Sequence, residues 1–400
     1  MKADPASGAP RGVFCLWMAA AASVALVLVV ALWSPWLPRV ALIGLTDAEV
    51  LAVRLGLPDT ARISLVADDN ERDTLPGGLL VYRAALAYRD RTFSELPLDL
   101  AMLTVPSLRA AGAVNGTQRA LPVLVDHVEL AWSKQRMGMA GLSQPTSLED
   151  LERALERWSS LKDASGDARE RSAWPLVFCG GDDESLLQAL SVMLVAETGY
   201  QGYESARQAL ASGTGMADVL GGSGGQSPGS VALLAAAGRL KSWIRLGLVH
   251  PEWHALKAAD LRALLHGGSV FMAIQSLSFR RSVDYAAINE YGSSRFPAAS
   301  GAPKDAIVAP LTLASIVGSR ASALDALRGL YDPALGKEMA ALSGRSSALA
   351  AAAAPDIQAA DALAAVAASR YVVNGLYRDA FADAASAKAA ARELRDWLRG

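Results

Sequence analysis

Apolar and polar positions alternate along the chain in a pattern that predicts strands followed by helices. Short apolar runs at residues 39–45, 61–67 and 99–104 predict three strands in the first part of the chain. The sequence from Thr46 to Glu49 is suited to capping a short helix that ends near Gly56. Strands that alternate with helices in this way predict a parallel α/β sheet with right-handed crossovers.

The middle of the chain continues this pattern. Apolar residues recur at helical spacing in residues 148–158, and Thr146 and Glu149 before them have capping-box spacing. Residues 174–179 read as a buried strand, and a helix that ends at Gly199 should follow it. Further apolar runs predict elements at residues 231–247 (helix), 261–265 (helix), 270–274 (strand), 307–317 (strand) and 323–331 (helix).

The N-terminus predicts a membrane segment. Residues 13–32 are almost wholly apolar, and about 20 such residues are enough to span a bilayer as a helix. Lys2 and Arg11 precede the run, so the tail at residues 1–12 should stay cytoplasmic. A cleavable signal peptide is the competing interpretation. The length of the run and the poor cleavage site favour an uncleaved signal anchor over residues 13–35, which places the rest of the chain outside the cytoplasm.

Composition and charge restrict the kinds of molecule that the protein is expected to bind. The 400 residues are 52% apolar and carry a formal net charge of −2, with no basic stripe that would indicate nucleic acid. Cys15 and Cys179 are the only cysteines, so a disulfide framework is not implied.

Five segments carry a resemblance to a known family. Residues 121–134 read Leu-Pro-Val-Leu-Val-Asp-His-Val-Glu-Leu-Ala-Trp-Ser-Lys, and Ala140-Gly141-Leu142 and a capped helix follow. The other segments in the series are residues 175–183, 233–249, 267–276 and 307–331. In this order they resemble extracellular solute-binding protein family 1, the sugar-binding receptors of ABC importers in the maltose-binding-protein class. The match covers most of residues 39–380, and the ordered series carries it rather than any single motif.

The resemblance implies a fold and a function. It implies an α/β, two-lobed, type II periplasmic-binding-protein-like clamshell, here preceded by one N-terminal transmembrane helix. The expected first lobe is residues 38–126 completed by 306–335, and the second is residues 127–305 completed by 336–400. The implied function is capture of a small solute, carbohydrate-like or otherwise polar, for an ABC-type permease. The expected location is the cell membrane, with the bulk of the chain extracytoplasmic.

Departures from the family keep a second function open. Leu277 stands where the family usually has a tryptophan, and Pro310-Leu-Thr-Leu313 replaces its usual "ggW". Those aromatics commonly stack on sugar rings, so their absence puts a sugar ligand in doubt. The first lobe is also short between residues 68 and 98. The alternative is an anchored sensor or scaffold derived from the clamshell, with no transport role.

Candidate ligand-binding residues lie at the ends of predicted strands, where clamshell ligands bind. Gly180 to Asp183 form a candidate rim, in which Gly181 offers a backbone N–H and Asp182 and Asp183 suit a hydroxyl-rich or cationic ligand; the competing role of an aspartate there is to cap the helix. Asp126 and His127 lie inside the crossing strand, so one side chain should face the cleft, although a satisfied polar pair at the hinge is equally compatible. Gln275, Ser276 and Thr312 complete the set.

Catalytic and metal-binding patterns are weak, so neither an enzyme nor a cofactor is expected. Ser159 and Lys162 fit S-x-x-K, but no K-T-G partner follows. His250 and His254 are four apart, but Pro251 interrupts the turn and there is no H-E-x-x-H motif. Cys179 and His127 would form a nucleophile and base only if the fold brought them together.

Overall fold

The computed structural model describes residues 37–66, 78–84, 93–213, 215–221, 227–318 and 321–400. The predicted anchor and the tail before it lie outside these residues. In the part of the chain that the structure describes, no helix has both the length and the apolar character needed to cross a membrane.

Strands and helices alternate along most of the described chain. The strands are β1 (Arg39–Ile43), β2 (Arg62–Val66), β3 (Gly78–Arg83), β4 (Ala113–Val114), β5 (Thr117–Gln118), β6 (Leu121–Val125), β7 (Val128–Ser133), β8 (Trp174–Val177), β9 (Val270–Ser276), β10 (Tyr291–Arg295), β11 (Ala306–Val308), β12 (Leu311–Val317), β13 (Ser346–Ser347) and β14 (Tyr371–Val373). The α-helices are α1 (Asp47–Leu55), α2 (Leu98–Met102), α3 (Lys134–Met139), α4 (Leu148–Ala164), α5 (Ala168–Arg171), α6 (Asp183–Ala211), α7 (Met216–Leu220), α8 (Pro228–Arg245), α9 (Ala258–His266), α10 (Leu277–Ser282), α11 (Tyr285–Ile288), α12 (Ala321–Leu330), α13 (Pro333–Ser343), α14 (Ile357–Ala367), α15 (Leu376–Asp379) and α16 (Ala384–Arg399). A 3₁₀ helix spans Pro106–Gly112.

The first lobe is built on a six-stranded sheet with the order β13-β6-β12-β3-β1-β2. Strand β1 is parallel to both β2 and β3, whereas β12 is antiparallel to β3 and β6. The predicted strands at residues 39–45 and 61–67 are confirmed, as is the capping box of Thr46 and Glu49 on α1. Strand β3, one of the two central strands of the sheet, was not predicted from the sequence pattern.

The predicted strand at residues 99–104 is wrong. This stretch forms α2 and the turn after it, with Leu100 and Ala101 buried and Leu98 and Met102 exposed. Two adjacent buried residues flanked by exposed ones fit a short helix better than a strand, in which neighbouring side chains point to opposite faces. An apolar run of this length cannot by itself distinguish the two.

The second lobe is built on a four-stranded sheet with the order β10-β7-β9-β8. Its core includes the indole of Trp158, which stacks on Phe271 with ring centroids 4.8 Å apart, and the fully buried Trp243. Helix α6 is interrupted at Gly199, whose φ of 66° lies in the left-handed region. The helix therefore breaks where the sequence predicted its end, and a second helical segment continues to Ala211.

The two lobes are joined where the chain passes between the sheets. The predicted crossing strand is two strands, β6 in the first sheet and β7 in the second, with Asp126 and His127 between them. A second passage is β11, which pairs in parallel with β14. Ala306 and Val308 belong to the core of the second lobe, whereas Ile307 contacts the core of the first, as period-two alternation requires.

The C-terminal part of the chain is divided between the lobes. Strand β13 pairs with β6 in the first sheet, and α13 packs on α1. The first lobe therefore continues beyond residue 335, where the sequence analysis ended it. Helix α16 packs Leu394 and Leu398 into the core of the second lobe.

The cap of α4 differs from the prediction by one residue. Ser147, not Thr146, is the N-cap, and its hydroxyl accepts a hydrogen bond from the backbone N–H of Asp150. Asp150 in turn accepts from the Thr146 hydroxyl at 2.7 Å. Glu149 instead accepts from the backbone N–H and hydroxyl of Ser300, because the helix start lies against that loop.

Candidate binding site between the two lobes

A cleft of about 520 Å³, part of it open solvent, lies between the lobes. Its wall is formed by both lobes and by the crossing between them. The lining residues are Arg83, Ala84, Asp126, Asp182, Glu184, Ser185, Gln188, Ser276, Ser278, Pro310, Leu311, Arg345 and Arg378.

Charged side chains form a continuous chain of ion pairs across this cleft, here called the ionic network. Its members are Glu49, Arg83, Asp126, Glu184, Arg345 and Arg378. Arg83, at the end of β3, binds Glu49 with Nη2–Oε2 at 3.0 Å and Glu184 with Nη1–Oε2 at 3.3 Å. Because Glu184 lies in the first turn of α6, the Arg83–Glu184 pair joins the first lobe to the second. Arg378 of α15 also binds Glu184, with Nε–Oε1 at 3.2 Å.

The other end of the network reaches the crossing. Arg345 Nη1 lies 3.2 Å from Glu49 Oε1, and its Nη2 lies 3.9 Å from Asp126 Oδ2. The hydroxyl of Thr312 donates to Glu49 Oε1 at 2.8 Å. Glu49 is fully buried, so these partners replace the water that an ionised carboxylate needs.

The environment keeps two carboxylates of the network, Glu49 and Glu184, ionised. Burial raises the pKa of Glu49, but Arg345 and Arg83 outweigh it, and the pKa falls from 4.5 to about 2. Burial likewise raises the pKa of Glu184, and Arg378 and Arg83 lower it to a net value below its usual range. Both carboxylates are therefore charged at neutral pH.

Asp126 and His127 occupy different surroundings although they are adjacent. Asp126 lines the cleft and accepts hydrogen bonds from the backbone N–H of Ser278 at 3.0 Å and from its hydroxyl at 2.5 Å. His127 is buried outside the cleft lining, and neither ring nitrogen has a hydrogen-bond partner within the described structure. Burial, with the nearby charge of Arg295, lowers the pKa of His127 to about 4. The imidazole is neutral at pH 7.

The rim formed by residues 180–183 contributes one side chain to the cleft. Asp182 lines the cleft and also caps α6, accepting from the backbone N–H of Ser185 at 2.8 Å. Asp183 binds Arg395 at 2.7 Å. Gly181 donates its N–H to the carbonyl of Leu256, and a Cβ at this position would lie 2.4 Å from a backbone oxygen. Glycine is needed there for close packing, and its N–H already has a partner.

The last three candidates are placed at different depths. Ser276 lines the cleft and caps α10, accepting from Phe279 N at 3.2 Å. Thr312 is buried behind the lining, bound to Glu49. Gln275 is buried as well, and its Nε2 donates to Glu129 Oε1 at 3.2 Å.

A second cavity adjoins the cleft in the second lobe and is here called the second-lobe pocket. It also amounts to about 520 Å³, part of it open solvent. The pocket and the cleft share Ser185, Gln188 and Ser276. The other lining residues are Val128, Cys179, Ala189, Ala258, Leu261, Ile274, Gln275 and Phe279.

Sequence reasoning missed most of the charged lining. Arg83, Glu184, Arg345 and Arg378 each stand alone in the sequence, with no spacing that connects them. Ser278 and Gln188 are likewise ordinary helix residues by their pattern. The network exists only because β3, α6 and the segments around residues 345 and 378 converge.

The surroundings of Cys179 and His250 bear on the weak catalytic and metal-binding patterns. Burial and the charges of Asp182 and Asp260 raise the pKa of Cys179 to about 12, so the thiol is protonated at neutral pH. Nδ1 of His250 accepts from the backbone N–H of Glu252 at 3.1 Å. No group of three or more potential metal-ligating side chains occurs among the residues that the structure describes.

The fold is shared with many solved structures. A binding protein from Bacillus subtilis in an open conformation matches with a TM-score of 0.67 and 16% identity, covering 91% of this chain and 95% of that one. The bacterial solute receptor AcbH, which prefers β-D-galactopyranose, matches with a TM-score of 0.65 and 14% identity over 92% and 98% of the two chains. Maltose-bound MalE3 from T. maritima matches with a TM-score of 0.59 and 16% identity over 90% and 99%.

Comparison of the sequence with family models and curated proteins does not detect this similarity. No protein-family model and no curated protein matches the chain. These structural neighbours are described as receptors or binding proteins, and the likeness shows that this chain shares their fold. The chain has the two-lobed α/β fold of the extracellular solute-binding proteins, as the ordered series of segments in its sequence predicted.

Proposed function

We propose that the protein is a solute-binding protein that captures a small polar solute between its lobes and delivers it to an ABC-type permease. The observation that carries this proposal is the cleft itself, because both lobes and the crossing contribute charged or hydroxyl groups to one wall. The solved structures with this fold include a sugar transporter from Bacillus licheniformis bound to stachyose and a chitin oligosaccharide binding protein.

Capture follows from differential affinity. A solute that contacts both walls binds the closed arrangement more tightly than the open one, so it shifts the equilibrium toward closure. The passages at Asp126–His127 and β11 are short, so a change of backbone angles there is sufficient to move one lobe relative to the other. A permease would then recognise the closed shape.

The cleft favours a ligand rich in hydrogen-bonding groups over a ligand that needs ring stacking. Within the described part of the chain, no aromatic side chain lines the cleft. Arginine and carboxylate groups suit hydroxyls, carboxylates and ammonium groups. A carbohydrate-like or other polar solute fits this lining if hydrogen bonds rather than stacking provide its affinity.

We infer from the apolar run at residues 13–32 that an uncleaved anchor holds the protein at the cell membrane, with its lobes on the extracytoplasmic side. Alkaline phosphatase fused after residue 400 should be active, since that enzyme folds only outside the cytoplasm. The full-length chain should remain in the membrane fraction after a high-salt wash. An inactive fusion would contradict the orientation, and a soluble shortened chain would contradict the anchor.

One observation favours the second candidate function, an anchored sensor or scaffold. The Arg83–Glu184 pair already joins the lobes through protein groups alone. A cleft held closed in this way would not need a solute. A gene for a permease beside this one would favour transport, whereas a neighbouring kinase or cyclase gene would favour sensing.

A thermal-shift screen tests for a solute. The full-length protein would be screened against sugars, polyols, amino acids, oligopeptides and polyamines. A ligand at 100 times its Kd should stabilise the fold by about 2.7 kcal/mol. Gln188→Ala should reduce the shift, because Gln188 lines the cleft from α6. Gln208→Ala on the exposed end of the same helix is the matched control and should leave it unchanged. A folded protein with no shift across the panel would contradict solute capture.

A further inference from the structure

The second-lobe pocket differs in chemistry from the cleft that it adjoins. Most of its wall is apolar, with Leu261, Ile274 and Phe279 among the lining side chains. The cleft wall, by contrast, is dominated by charged and hydroxyl groups. Ser185, Gln188 and Ser276 border both spaces, so the cleft and the second-lobe pocket lie side by side.

The charges in and directly behind the cleft wall nearly balance. Three arginines, at positions 83, 345 and 378, face three carboxylates, at positions 126, 182 and 184, and the buried Glu49 behind Arg83 and Arg345 adds a fourth. A ligand with a large net charge would leave this balance uncompensated in a partly desolvated site. The cleft therefore selects a head group that is neutral overall, either polyhydroxylated or zwitterionic.

One side chain of the second-lobe pocket, Gln275, has an acceptor without a partner. Gln275 is 5% exposed, and its Nε2 is occupied by Glu129. Its Oε1 is buried and has no hydrogen-bond partner within the described structure. A buried acceptor without a partner costs free energy, which a donor on a bound molecule would recover after a rotation that turns the amide toward the pocket. Apolar ligand pockets typically contain a few polar groups of this kind that fix orientation.

From these observations we propose that the solute is amphipathic: a neutral polar head binds in the cleft, and an apolar arm with a hydrogen-bond donor enters the second-lobe pocket. The proposal rests on the proposed function, solute capture, and specifies its ligand class. Two sources share this chemistry, aryl glycosides and amino acids with apolar side chains. Purely hydrophilic sugars lack the arm.

Matched ligand pairs test the proposal by isothermal titration of the full-length protein. The pairs are D-glucose with p-aminophenyl β-D-glucopyranoside, and glycine with L-tryptophan, in which the arm carries an N–H donor. At least one arm-bearing member should bind about tenfold more tightly or better, because burial of an apolar group the size of a ring contributes at least that factor. The pair that shows the gain identifies the source.

A pocket-filling variant locates the arm. Ala258 lines the second-lobe pocket from the exposed first turn of α9, so Ala258→Trp places an indole at that wall. The variant should lose the advantage of the arm-bearing ligand and keep the affinity for the head alone. Ala259→Trp, at the exposed neighbouring position outside the lining, is the matched control and should bind like the parent protein.

The negative results of these experiments distinguish a wrong ligand class from a wrong function. Equal affinity for both members of a pair, unchanged by Ala258→Trp, would overturn the amphipathic ligand and leave solute capture standing. The same holds if both tryptophan variants weaken the arm-bearing ligand equally. No binding of any probe, together with no shift in the wider thermal screen, would overturn solute capture and this proposal with it.

Discussion

A buried polar group has ionic and hydrogen-bonding partners in the ionic network, whereas a buried polar group at the crossing behind it has none in the described structure. In the network, Glu49 is fully buried but has Arg83, Arg345 and Thr312 as partners. At the crossing, His127 is almost as buried, and neither of its ring nitrogens has a described partner. A buried charge is tolerated when it is paired, and a buried neutral group without partners is a net cost. Removal of a side chain should therefore have opposite effects in the two regions.

The largest expected effect is the loss of the Glu49 carboxylate. Glu49→Ala leaves the guanidinium groups of Arg83 and Arg345 without their shared buried partner. Loss of one member of such a buried pair destabilises a fold by about 3–5 kcal/mol. Urea unfolding would measure the change. Glu338→Ala, at an exposed position of α13, is the control and should stay within about 0.5 kcal/mol. A Glu49 variant as stable as that control would contradict the structural role of the network.

Acid should remove the same stabilisation. The pKa of Glu49 is lowered from 4.5 to about 2, so its contribution is fully present above pH 4.5. It is lost as the pH falls from 4.5 towards 2, because the unfolded chain binds the proton first; the total is about 3 kcal/mol. Glu49→Gln should lack this part of the pH dependence. Denaturant titrations at several pH values would measure it, and parallel curves for the two proteins would be evidence against it.

Removal of the titrating side chain at the crossing should have the opposite effect on stability, although acid destabilises both regions. The pKa of His127 is lowered from 6.5 to about 4, so protonation favours the unfolded chain, and stability falls as the pH drops through this interval. Between pH 8 and pH 5 this cost is about 2 kcal/mol. His127→Leu removes the titrating group and two unpartnered nitrogens, so it should be more stable than the parent protein, most clearly at pH 5. His266→Leu, at the end of α9, is the control and should show no such gain. A destabilised His127→Leu protein at pH 5 would show that the imidazole has a partner in solution.

The smallest effect concerns the pair that joins the lobes. Glu184→Gln weakens the contacts to Arg83 and Arg378, whose partly exposed pairing contributes only about 1 kcal/mol. Its main consequence should be a shift towards the open arrangement, visible as a larger radius of gyration by X-ray scattering. Glu204→Gln breaks a Glu–Arg pair that lies within α6 alone and is the matched control. An unchanged radius in the Glu184 variant would mean that this pair does not hold the lobes together.

Many local elements were predictable because their causes lie within a few residues. The capping box of Thr46 and Glu49 and the strands β1, β2, β8 and β9 follow from patterns a few residues long. The short range of these patterns also explains why two of the predictions were wrong. Residues 99–104 form an apolar run that fits either a strand or a helix. Burial against the first lobe favours the helix, so the segment forms α2. Ser147 rather than Thr146 caps α4, because Glu149, the expected capping-box partner of Thr146, accepts a hydrogen bond from the loop at Ser300 instead.

The binding site was predictable only in part. Asp126, Asp182 and Ser276 line the cleft, because loops at the ends of strands converge there in such folds. His127, Gln275 and Thr312 were placed on the correct strands or crossing, but the side chains turn into buried surroundings. Period-two alternation shows that one of two neighbours faces a cleft and does not show which one.

The sequence by itself determined many of the strands, helices and caps, because periodicity and capping act over single turns, and the resemblance of its ordered segments to a known family indicated the two-lobed fold. The tertiary structure alone decided the chemistry of the cleft. Glu49 and Arg83 are 34 positions apart, and Glu184 and Arg378 are 194 apart, so no local pattern records these pairs. Long-range ion pairs form where the fold brings isolated charges together in a space that water only partly fills, and that space exists only after both sheets have assembled.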